Sequence, residues 1–536
     1  MEITRIPFSD LPMLAKMDRA YSEQEPILRK FYKYPVGISS FKQVIEDKSK
    51  EKTNREVLVS VLKKQYSNFD TQQVDNLNFE KLLQSNTFTV TTAHQPSLFT
   101  GPLYFIYKIC STIHLANKLN AYYPDNQFVP VFVIGGEDHD FEEVNFINIF
   151  NKKITWEKSA DEHGAVGMMN TASLRPALDE LKAVLGDNEQ AKYIFDIIEK
   201  AYTTHTLYHD ATQALIHELF GKYGLVVLNM NDSDLKRLFI PIMKKEIVEQ
   251  TSKDLVGKTQ KGLESLGYKS QAYARDINLF YLRENLRKRI VFENGIYKAL
   301  NTDYQWNSQE EILTELETTP QYFSPNVILR PLFQELILPN LAYIGGGGEL
   351  AYWLERKTQF EHFAINYPML VRRNSVLWLD KGSRDKMGKL NVQLLDLVQD
   401  TDSLIKAYIS KTATEPLSMN EQKAAIETIF EAILKKCIAT DPTLEKVVLA
   451  EKTKQIQGIE IIEAKLLKAE KQKNETALNQ LKALAQKLFP GGGLQERVDN
   501  FLPYYLKYGE AFMDNLLENL NPLEQGLIVI SECNNS

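Results

Sequence analysis

Six consecutive residues place three carboxylates and an imidazole directly after an apolar run at 128–134. They are Gly135, Gly136, Glu137, Asp138, His139 and Asp140. Like charges at this spacing push their pKa values apart, which is costly unless a ligand or a proton is held there. The loop is therefore a candidate for a general base and for recognition of a substrate amine. A solvated acidic turn and a divalent ion are the alternatives, and no metal is predicted because adjacent residues rarely converge on one ion.

A second polar loop follows a run rich in β-branched residues at 86–92. It contains His94, Gln95, Pro96, Thr100 and Gly101, and a helical pattern at 103–122 comes next. An imidazole and the backbone N–H groups of a helix start can point at a phosphate or a carboxylate. A plain turn in which His94 caps the helix is the alternative. Function is favoured because open α/β sheets bind ligands beyond the carboxyl ends of their strands.

Four glycines at 345–348 separate a predicted strand at 341–344 from a predicted helix at 349–361. Such a loop can cradle a phosphate or admit a flat ligand, although its spacing matches no standard nucleotide motif. Upstream, a predicted strand at 326–332 carries Asn326 and Arg330, and Gln334 follows it, so that a cation and amides could be presented together. Arg330 is a candidate for bidentate binding of a substrate carboxylate, and a structural salt bridge is the alternative. The binding residues predicted around the glycines are Gly347, Gly348, Glu349, Tyr352 and Trp353.

These loops require strands that end at a common edge of one sheet. Strand candidates at 86–92, 128–134, 225–228, 326–332, 341–344 and 369–379 alternate with helical patterns such as 103–122 and 233–249. This alternation predicts a doubly wound α/β core. Later, apolar positions step by three and four on both sides of 470–477. That pattern predicts an antiparallel helical hairpin or an interrupted coiled coil.

A chain of 536 residues is expected to divide into several structural units. We predict the first half of the core at 1–151 and a mostly helical connecting insertion at 152–223. The second half of the core follows at 224–389. A helical coiled-coil arm at 390–489 and a C-terminal segment at 490–536, which docks back on the core, complete the chain.

The composition excludes several classes of function. The net charge is −7, so no strong basic field exists to attract nucleic acid. Cys110, Cys437 and Cys533 are too few and too scattered for a disulfide framework or a zinc site. No run approaches the roughly 18 apolar residues of a membrane span. These features predict a soluble, cytoplasmic protein without nucleic-acid or membrane partners.

Four groups of residues occur in an order, spacing and total chain length that resemble the bacillithiol biosynthesis cysteine-adding enzymes, the BshC family. The groups are Thr92-Ala93-His94-Gln95-Pro96 with Thr100-Gly101-Pro102, then Gly136-Glu137-Asp138-His139-Asp140, then Ser324-Pro325-Asn326-Val327 with Arg330-Pro331, and Gly348-Glu349-Leu350-Ala351-Tyr352-Trp353. A helical hairpin follows them. One such segment would be weak evidence, whereas four in order are a specific signal.

The resemblance implies a Rossmann-like core laid out like a class I aminoacyl-tRNA synthetase, with helical insertions and a coiled-coil arm used in homodimerisation. It implies a carbon–nitrogen ligase that adds L-cysteine to glucosaminyl malate in the last step of bacillithiol biosynthesis. His94-Gln95-Pro96 then resembles a divergent synthetase histidine signature. The alternatives are another ATP-dependent acyl- or nucleotidyl-transferring enzyme of this fold, and a non-catalytic protein that binds partners through the arm.

Chemistry explains why ATP, with Mg²⁺, is expected. A free carboxylate does not acylate an amine at neutral pH and must first be activated. We expect His94 and the helix start near Thr100 to face the phosphates. Asp138, His139 and Asp140 complete the predicted catalytic set, in which Asp138 or Asp140 holds the attacking amine or accepts its proton.

Overall fold

The computed structural model describes residues 1–67, 69, 79–413 and 415–532, and Cys533 lies outside this range. The chain divides into two compact units. The larger unit contains residues 3–377 and 495–529. The smaller unit contains residues 1–2, 378–494 and those from 530 onward.

The described strands pair into four sheets. In chain order they are β1 (Glu2–Ile6), β2 (Thr87–His94), β3 (Gln127–Ile134), β4 (Phe146–Ile149), β5 (Lys152–Thr155), β6 (Val226–Asn229), β7 (Leu279–Arg283), β8 (Leu286–Glu293), β9 (Ile296–Ala299), β10 (Gln305–Trp306), β11 (Phe323–Pro325), β12 (Asn340–Gly345), β13 (Met369–Arg372), β14 (Ser375–Leu379) and β15 (Leu527–Ser531). Strands β13, β12, β2, β3 and β6 form a parallel sheet in that order. Strands β10, β9, β8, β7 and β11 form an antiparallel sheet, β4 pairs with β5, and β1, β15 and β14 pair in that order.

The described α-helices alternate with the strands in the larger unit and dominate the smaller one. In chain order they are α1 (Lys16–Ser22), α2 (Phe41–Lys48), α3 (Arg55–Gln65), α4 (Tyr104–Tyr122), α5 (Phe141–Val144), α6 (Arg175–Leu185), α7 (Glu189–Thr204), α8 (Tyr208–Phe220), α9 (Ser233–Glu249), α10 (Ser252–Glu264), α11 (Gln309–Thr318), α12 (Arg330–Ile337), α13 (Gly347–Leu354), α14 (Lys357–His362), α15 (Lys381–Leu390), α16 (Thr401–Thr412), α17 (Asn420–Thr440), α18 (Glu445–Lys473), α19 (Glu475–Leu488), α20 (Leu502–Tyr508) and α21 (Ala511–Asn519). In the described part of the chain, no helix has the length and apolar character that crossing a membrane requires.

The parallel sheet is the centre of the larger unit. Strands β2 and β3 are buried along most of their length, as expected for parallel strands covered on both faces. Numbered by their order along the chain, the five strands lie as 3-2-1-4-5, which is the Rossmann order. The chain order reverses between β2 and β12. Ligands of such sheets bind at that switch point, beyond the carboxyl ends of the strands.

The predicted strand at 326–332 is wrong. Strand β11 ends at Pro325, and α12 begins at Arg330 with Pro331 in its first turn. Between them, the Asn326 side chain accepts the N–H of Ile328 at 2.8 Å, which closes a turn. A short apolar run is equally compatible with a strand or a buried turn, so periodicity could not separate the two.

The predicted strand at 369–379 is two strands in two different sheets, β13 and β14. Arg373 and Asn374 interrupt it, because their side chains have buried polar partners elsewhere. Arg373 pairs with Glu496 at 2.8 Å, and Asn374 donates to the backbone oxygen of Asn521 at 3.0 Å. Similarly, the predicted helix at 349–361 is two helices, α13 and α14.

In the smaller unit, α17 and α18 form an antiparallel pair. Lys423 near the start of α17 pairs with Glu463 towards the end of α18 at 2.6 Å, and the connecting turn contains Pro442. The predicted interruption at 470–477 is confirmed, because α18 ends at Lys473 and α19 begins at Glu475. The prediction of a hairpin between the two runs on either side of 470–477 is wrong. The single residue between α18 and α19 is too short a connection to reverse the chain, and α18 instead pairs with the preceding helix, α17.

Candidate active site

A cavity of 620 Å³ lies at the carboxyl edge of the parallel sheet. Each of the five strands contributes a residue at or just after its end: His94, Gly135, Met230, Gly346 and Arg373. Of the residues predicted from the sequence, the cavity is lined by His94, Gln95, Gly135, Arg330, Gly348, Glu349, Tyr352 and Trp353. Its other polar lining residues are Tyr104, Glu143, Gln334, Tyr343, Arg373 and Arg497. The switch point of the sheet is therefore a polar cavity with several cations.

His94 stands at the end of β2 as a neutral imidazole. Its Nδ1 lies 2.8 Å from the backbone oxygen of Gln95, which can only accept, so Nδ1 carries the proton. Its Nε2 lies 3.1 Å from the Tyr104 hydroxyl and accepts from it. Burial and the nearby Lys108 cation lower the pKa of His94 to about 4. His94 therefore brings a fixed hydrogen bond to the cavity and no positive charge at neutral pH.

Lowering the pH is expected to destabilise the wild-type protein more than a His94→Gln variant. The pKa of His94 is about 4 in the folded protein and 6.5 ordinarily. Between these values the unfolded chain binds a proton that the folded protein does not, so the free energy of unfolding falls as the pH drops from 6.5 towards 4. Urea unfolding midpoints at about pH 7 and about pH 5 measure the difference. Equal losses in the two proteins would contradict it.

An ion pair between the fully buried Lys108 of α4 and the partly exposed Glu349 of α13 connects the two helices that flank the switch point. The Lys108 ammonium lies 2.7 Å from a Glu349 oxygen and donates to the Ala93 backbone oxygen at 2.6 Å. Glu349 also accepts from the Tyr343 hydroxyl at 2.9 Å and from the N–H of Gly346 at 2.9 Å. Burial opposes ionisation of Glu349, but Lys108 outweighs it and the pKa of Glu349 is lowered. Glu349 thus anchors the start of α13 against β2.

Arg330, at the start of α12, is the half-buried cation of the cavity. Within the described residues it makes no ion pair. The hydroxyl of Tyr352 lies beside it, and Gln334 lines the cavity one turn further along α12. A guanidinium that faces a cavity without a carboxylate partner is suited to bind an anionic group of a ligand.

The acidic loop after β3 is held largely by internal partners. Glu137 pairs with the fully buried Lys236 and accepts from the Ser324 hydroxyl at 3.1 Å. One Arg287 nitrogen lies 3.4 Å from Asp138 and donates to Nδ1 of His139 at 2.7 Å. Burial opposes ionisation of Asp138, but the His139 contact and Arg287 lower its pKa. Of this loop, Gly135 lines the cavity, and the side chains from 137 to 140 do not.

Asp138, His139 and Asp140 could present ligand atoms within 4.8 Å of one another. The Arg287 guanidinium already places a positive charge against the first two. Arg287 comes from β8 of the antiparallel sheet, so the insertion between β6 and β12 positions this loop.

The remaining predicted residues do not line the cavity. The C-terminal segment covers the turn that holds Pro96, Thr100 and Gly101: Asn500 donates to the Gly101 oxygen at 2.6 Å. The Leu103 N–H donates to the Asp499 oxygen at 2.7 Å, so one amide of the helix start has an internal acceptor. Asn326 donates to the Asn278 side chain at 3.1 Å. Gly347 packs so closely on Asp18 that an added Cβ would clash with its carboxylate.

Sequence reasoning missed five polar residues of the site: Tyr104, Glu143, Tyr343, Arg373 and Arg497. Tyr104 lies at the start of the predicted helix at 103–122, and Glu143 lies shortly after the acidic loop, so their nearness to the two candidate loops was the available signal. Tyr343 and Arg373 lie in strand-like apolar runs, and Arg497 lies far along the chain in a segment without a pattern. Nothing local in the sequence marks these last three.

A parallel sheet in Rossmann order, with a polar cavity at its switch point, defines a Rossmann-like α/β protein. Two family models together cover almost the whole chain. "Bacillithiol biosynthesis BshC, N-terminal Rossmann-like domain" matches residues 1–374, and "Bacillithiol biosynthesis BshC, C-terminal coiled-coil domain" matches residues 376–532. The chain belongs to the BshC family. The predicted family, Rossmann-like core and coiled-coil arm are thereby confirmed.

Proteins of several bacteria resemble the chain over nearly its full length. A protein of Flavobacterium johnsoniae is 41% identical over 96% of this chain and 97% of its own. One of Cytophaga hutchinsonii is 33% identical over 97% of both. One of Bacillus cytotoxicus is 28% identical over 92% of this chain and 94% of its own. Each is named "Putative cysteine ligase BshC".

Proposed function

We propose that the protein is a carbon–nitrogen ligase that joins L-cysteine to glucosaminyl malate as an amide, in the last step of bacillithiol biosynthesis. The full-length match to the BshC family supports the pathway, and the names of its relatives support the amino acid. The observation that carries the proposal is the cavity at the switch point. It combines a neutral histidine, a guanidinium without an ion-pair partner among the described residues, and a carboxylate at Glu143.

ATP, with Mg²⁺, is the proposed source of activation for the cysteine carboxylate. Two features of the cavity fit a phosphate group. Arg330 and Gln334 present donors from α12, and Gly348 at the start of α13 leaves its backbone open, since an added Cβ would meet no atom within 4 Å. When bound, the nucleotide would convert the carboxylate into a group that an amine can attack.

The chain's own residues then position the reacting groups and stabilise the charge that develops on them. We assign Arg330 to the negative charge that develops on the activated carboxylate, where a fixed donor in a partly desolvated site is most effective. His94 holds the Tyr104 hydroxyl at the cavity wall through its Nε2. The Lys108–Glu349 pair holds the start of α13 against β2. Catalytic roles for Asp138, His139 and Asp140 stay predictions.

Mass spectrometry of the purified protein with glucosaminyl malate, L-cysteine and ATP tests the proposal. We expect a product whose mass equals the two substrates less one water, formed only when all three compounds are present. Product without ATP would keep the ligase and overturn nucleotide activation. Product from other amines but not from glucosaminyl malate would favour a different acyl-transferring enzyme of this fold. No product in any combination would contradict the proposal.

Homodimerisation through the coiled-coil arm and a cytoplasmic location stay predictions. The arm exposes several large apolar side chains on α17 and α18, which are consistent with a partner surface: Ile429, Ile433, Val447, Ile461 and Ile462.

A further inference from the structure

One wall of the cavity carries charges that the roles assigned above leave unused. Arg373 follows β13, Arg497 belongs to the C-terminal segment, and Glu143 lies on α5 after β3. All three line the cavity, and the Arg373 guanidinium lies 5.3 Å from the centre of the Tyr104 ring. The charges of all three, like that of Glu349, act on the pKa of the Tyr104 hydroxyl. Arg330 reaches the cavity from the start of α12 instead.

Arg373 is a buried guanidinium with donor capacity to spare. It is 3% exposed and pairs with Glu496 at 2.8 Å. It also donates to the Asn374 backbone oxygen at 2.9 Å. Its Nε has no hydrogen-bond partner among the described residues, and it lies 3.6 Å from the position that a Cβ on Gly346 would take. An unpartnered buried donor is costly, so a ligand oxygen at this wall would satisfy it.

Arg497 is held at the cavity by its neighbour in the chain. Glu496 is fully buried and accepts from the Ser375 hydroxyl at 3.0 Å and from the Val376 N–H at 3.1 Å, besides pairing with Arg373. These contacts fix the backbone next to Arg497. Arg497 itself is exposed and makes no ion pair within the part of the chain that the structure describes. The wall therefore offers two guanidinium groups, one buried and one open.

The Glu143 carboxylate determines which kind of anionic ligand this wall can bind. Its carboxylate is exposed, and no described residue forms an ion pair with it. A carboxylate that lines the same cavity as two guanidinium groups disfavours a triphosphate but complements a molecule that carries an ammonium together with carboxylates. The pKa of Glu143 is raised by desolvation and by the negative charges of Asp140 and Asp138. An ammonium bound beside Glu143 would lower this pKa again.

We propose that Arg373, Arg497 and Glu143 form the subsite for the acceptor, an amino sugar linked to a dicarboxylic acid, with the arginines on its carboxylates and Glu143 on its ammonium. This inference rests on the proposed function and deepens it. It gives the acceptor a set of cavity residues distinct from Arg330, which is assigned to the activated cysteine. The C-terminal segment thereby becomes part of the substrate site.

Calorimetric titration of the full-length protein tests the subsite without requiring turnover. The ligands are glucosaminyl malate, methyl glucosaminide, which lacks the carboxylates, and ATP. In Arg497→Gln we expect about 10- to 100-fold weaker binding of glucosaminyl malate, with ATP binding changed by less than about twofold. Methyl glucosaminide binding should change equally little. Arg175→Gln, an exposed arginine on α6 that does not line the cavity, is the matched control.

Two further variants protect the test against a folding defect. Arg497→Lys keeps a positive charge and should retain part of the affinity, and Glu143→Gln should weaken both amine-containing ligands. Weaker ATP binding with unchanged glucosaminyl malate binding would make the wall a nucleotide site and overturn the proposal, as would no change at all. If Arg497→Gln weakens acceptor binding but the wild-type protein forms no amide product, only the proposed function is contradicted. If Arg497→Gln forms the product with an unchanged KM for glucosaminyl malate, only the proposed subsite is contradicted.

Discussion

Replacing Arg330 by alanine is expected to lower kcat/KM for amide formation by about 100- to 1,000-fold, the usual effect of losing one fixed donor at developing negative charge. Arg330 is half-buried, faces the cavity and makes no ion pair among the described residues. Its guanidinium is therefore available to a ligand instead of being engaged in an ion pair. Initial rates of product formation, followed by mass spectrometry with cysteine and ATP varied in turn, measure the effect.

The Arg330→Lys variant separates charge from geometry. A lysine keeps the cation but loses the planar pair of donors, so only part of the activity should return. Arg175→Gln again serves as the surface control and should match the wild-type rate. A wild-type rate in Arg330→Ala, in a protein with an unchanged unfolding midpoint, would remove Arg330 from the mechanism.

Replacing Lys236 by methionine is expected to destabilise the protein by about 3–5 kcal/mol, because it leaves the Glu137 carboxylate without its buried partner. The Lys236 side chain is fully buried, and Glu137 is 15% exposed. Lys236 also donates to the Gln321 backbone oxygen at 3.0 Å. Urea unfolding followed by circular dichroism at neutral pH measures the loss.

The double variant Lys236→Met, Glu137→Gln is the control for this prediction. With the uncompensated charge removed, most of the stability should return, since a buried pair exchanged for neutral groups is often close to neutral overall. A double variant as unstable as Lys236→Met alone would show that the loss comes from packing around α9 and would contradict the assigned cause.

The elements around the site follow from local patterns in the chain. The apolar run at 128–134 became β3 at Gln127–Ile134, and the helical pattern at 103–122 became α4 at Tyr104–Tyr122. Both patterns arise from interactions between near neighbours, so one segment is enough to read them. The identity of several cavity residues, among them His94 and Gly135, was also predictable, because ligands of such sheets lie at strand ends.

The local conformation at 326–332 was predicted wrongly for a related reason. A short apolar stretch does not reveal whether it will pair with a neighbouring strand or turn back through a side chain such as Asn326. The hairpin partners in the arm were also wrong, because spacing along one helix does not identify the helix it packs against.

The electrostatics of the acidic loop were decided by the tertiary structure. In the sequence, Glu137 and Asp138 look like clustered carboxylates in need of a ligand. In the fold, Lys236 from α9 and Arg287 from β8 bring the opposing charges from distant parts of the chain. Local spacing sets how strongly the carboxylates repel one another, but the approach of distant cations determines how much of that repulsion remains.

The amino-acid sequence by itself determined the family, the main strands and helices, and the loops at which chemistry could occur. Only the tertiary structure decided which side chains share the cavity. Arg373 and Arg497 meet there because β13 ends at the edge of the sheet and the C-terminal segment returns to that edge through Glu496. Charges so far apart in the chain act on one ligand only after folding has brought them together, since their interaction depends on distance in space.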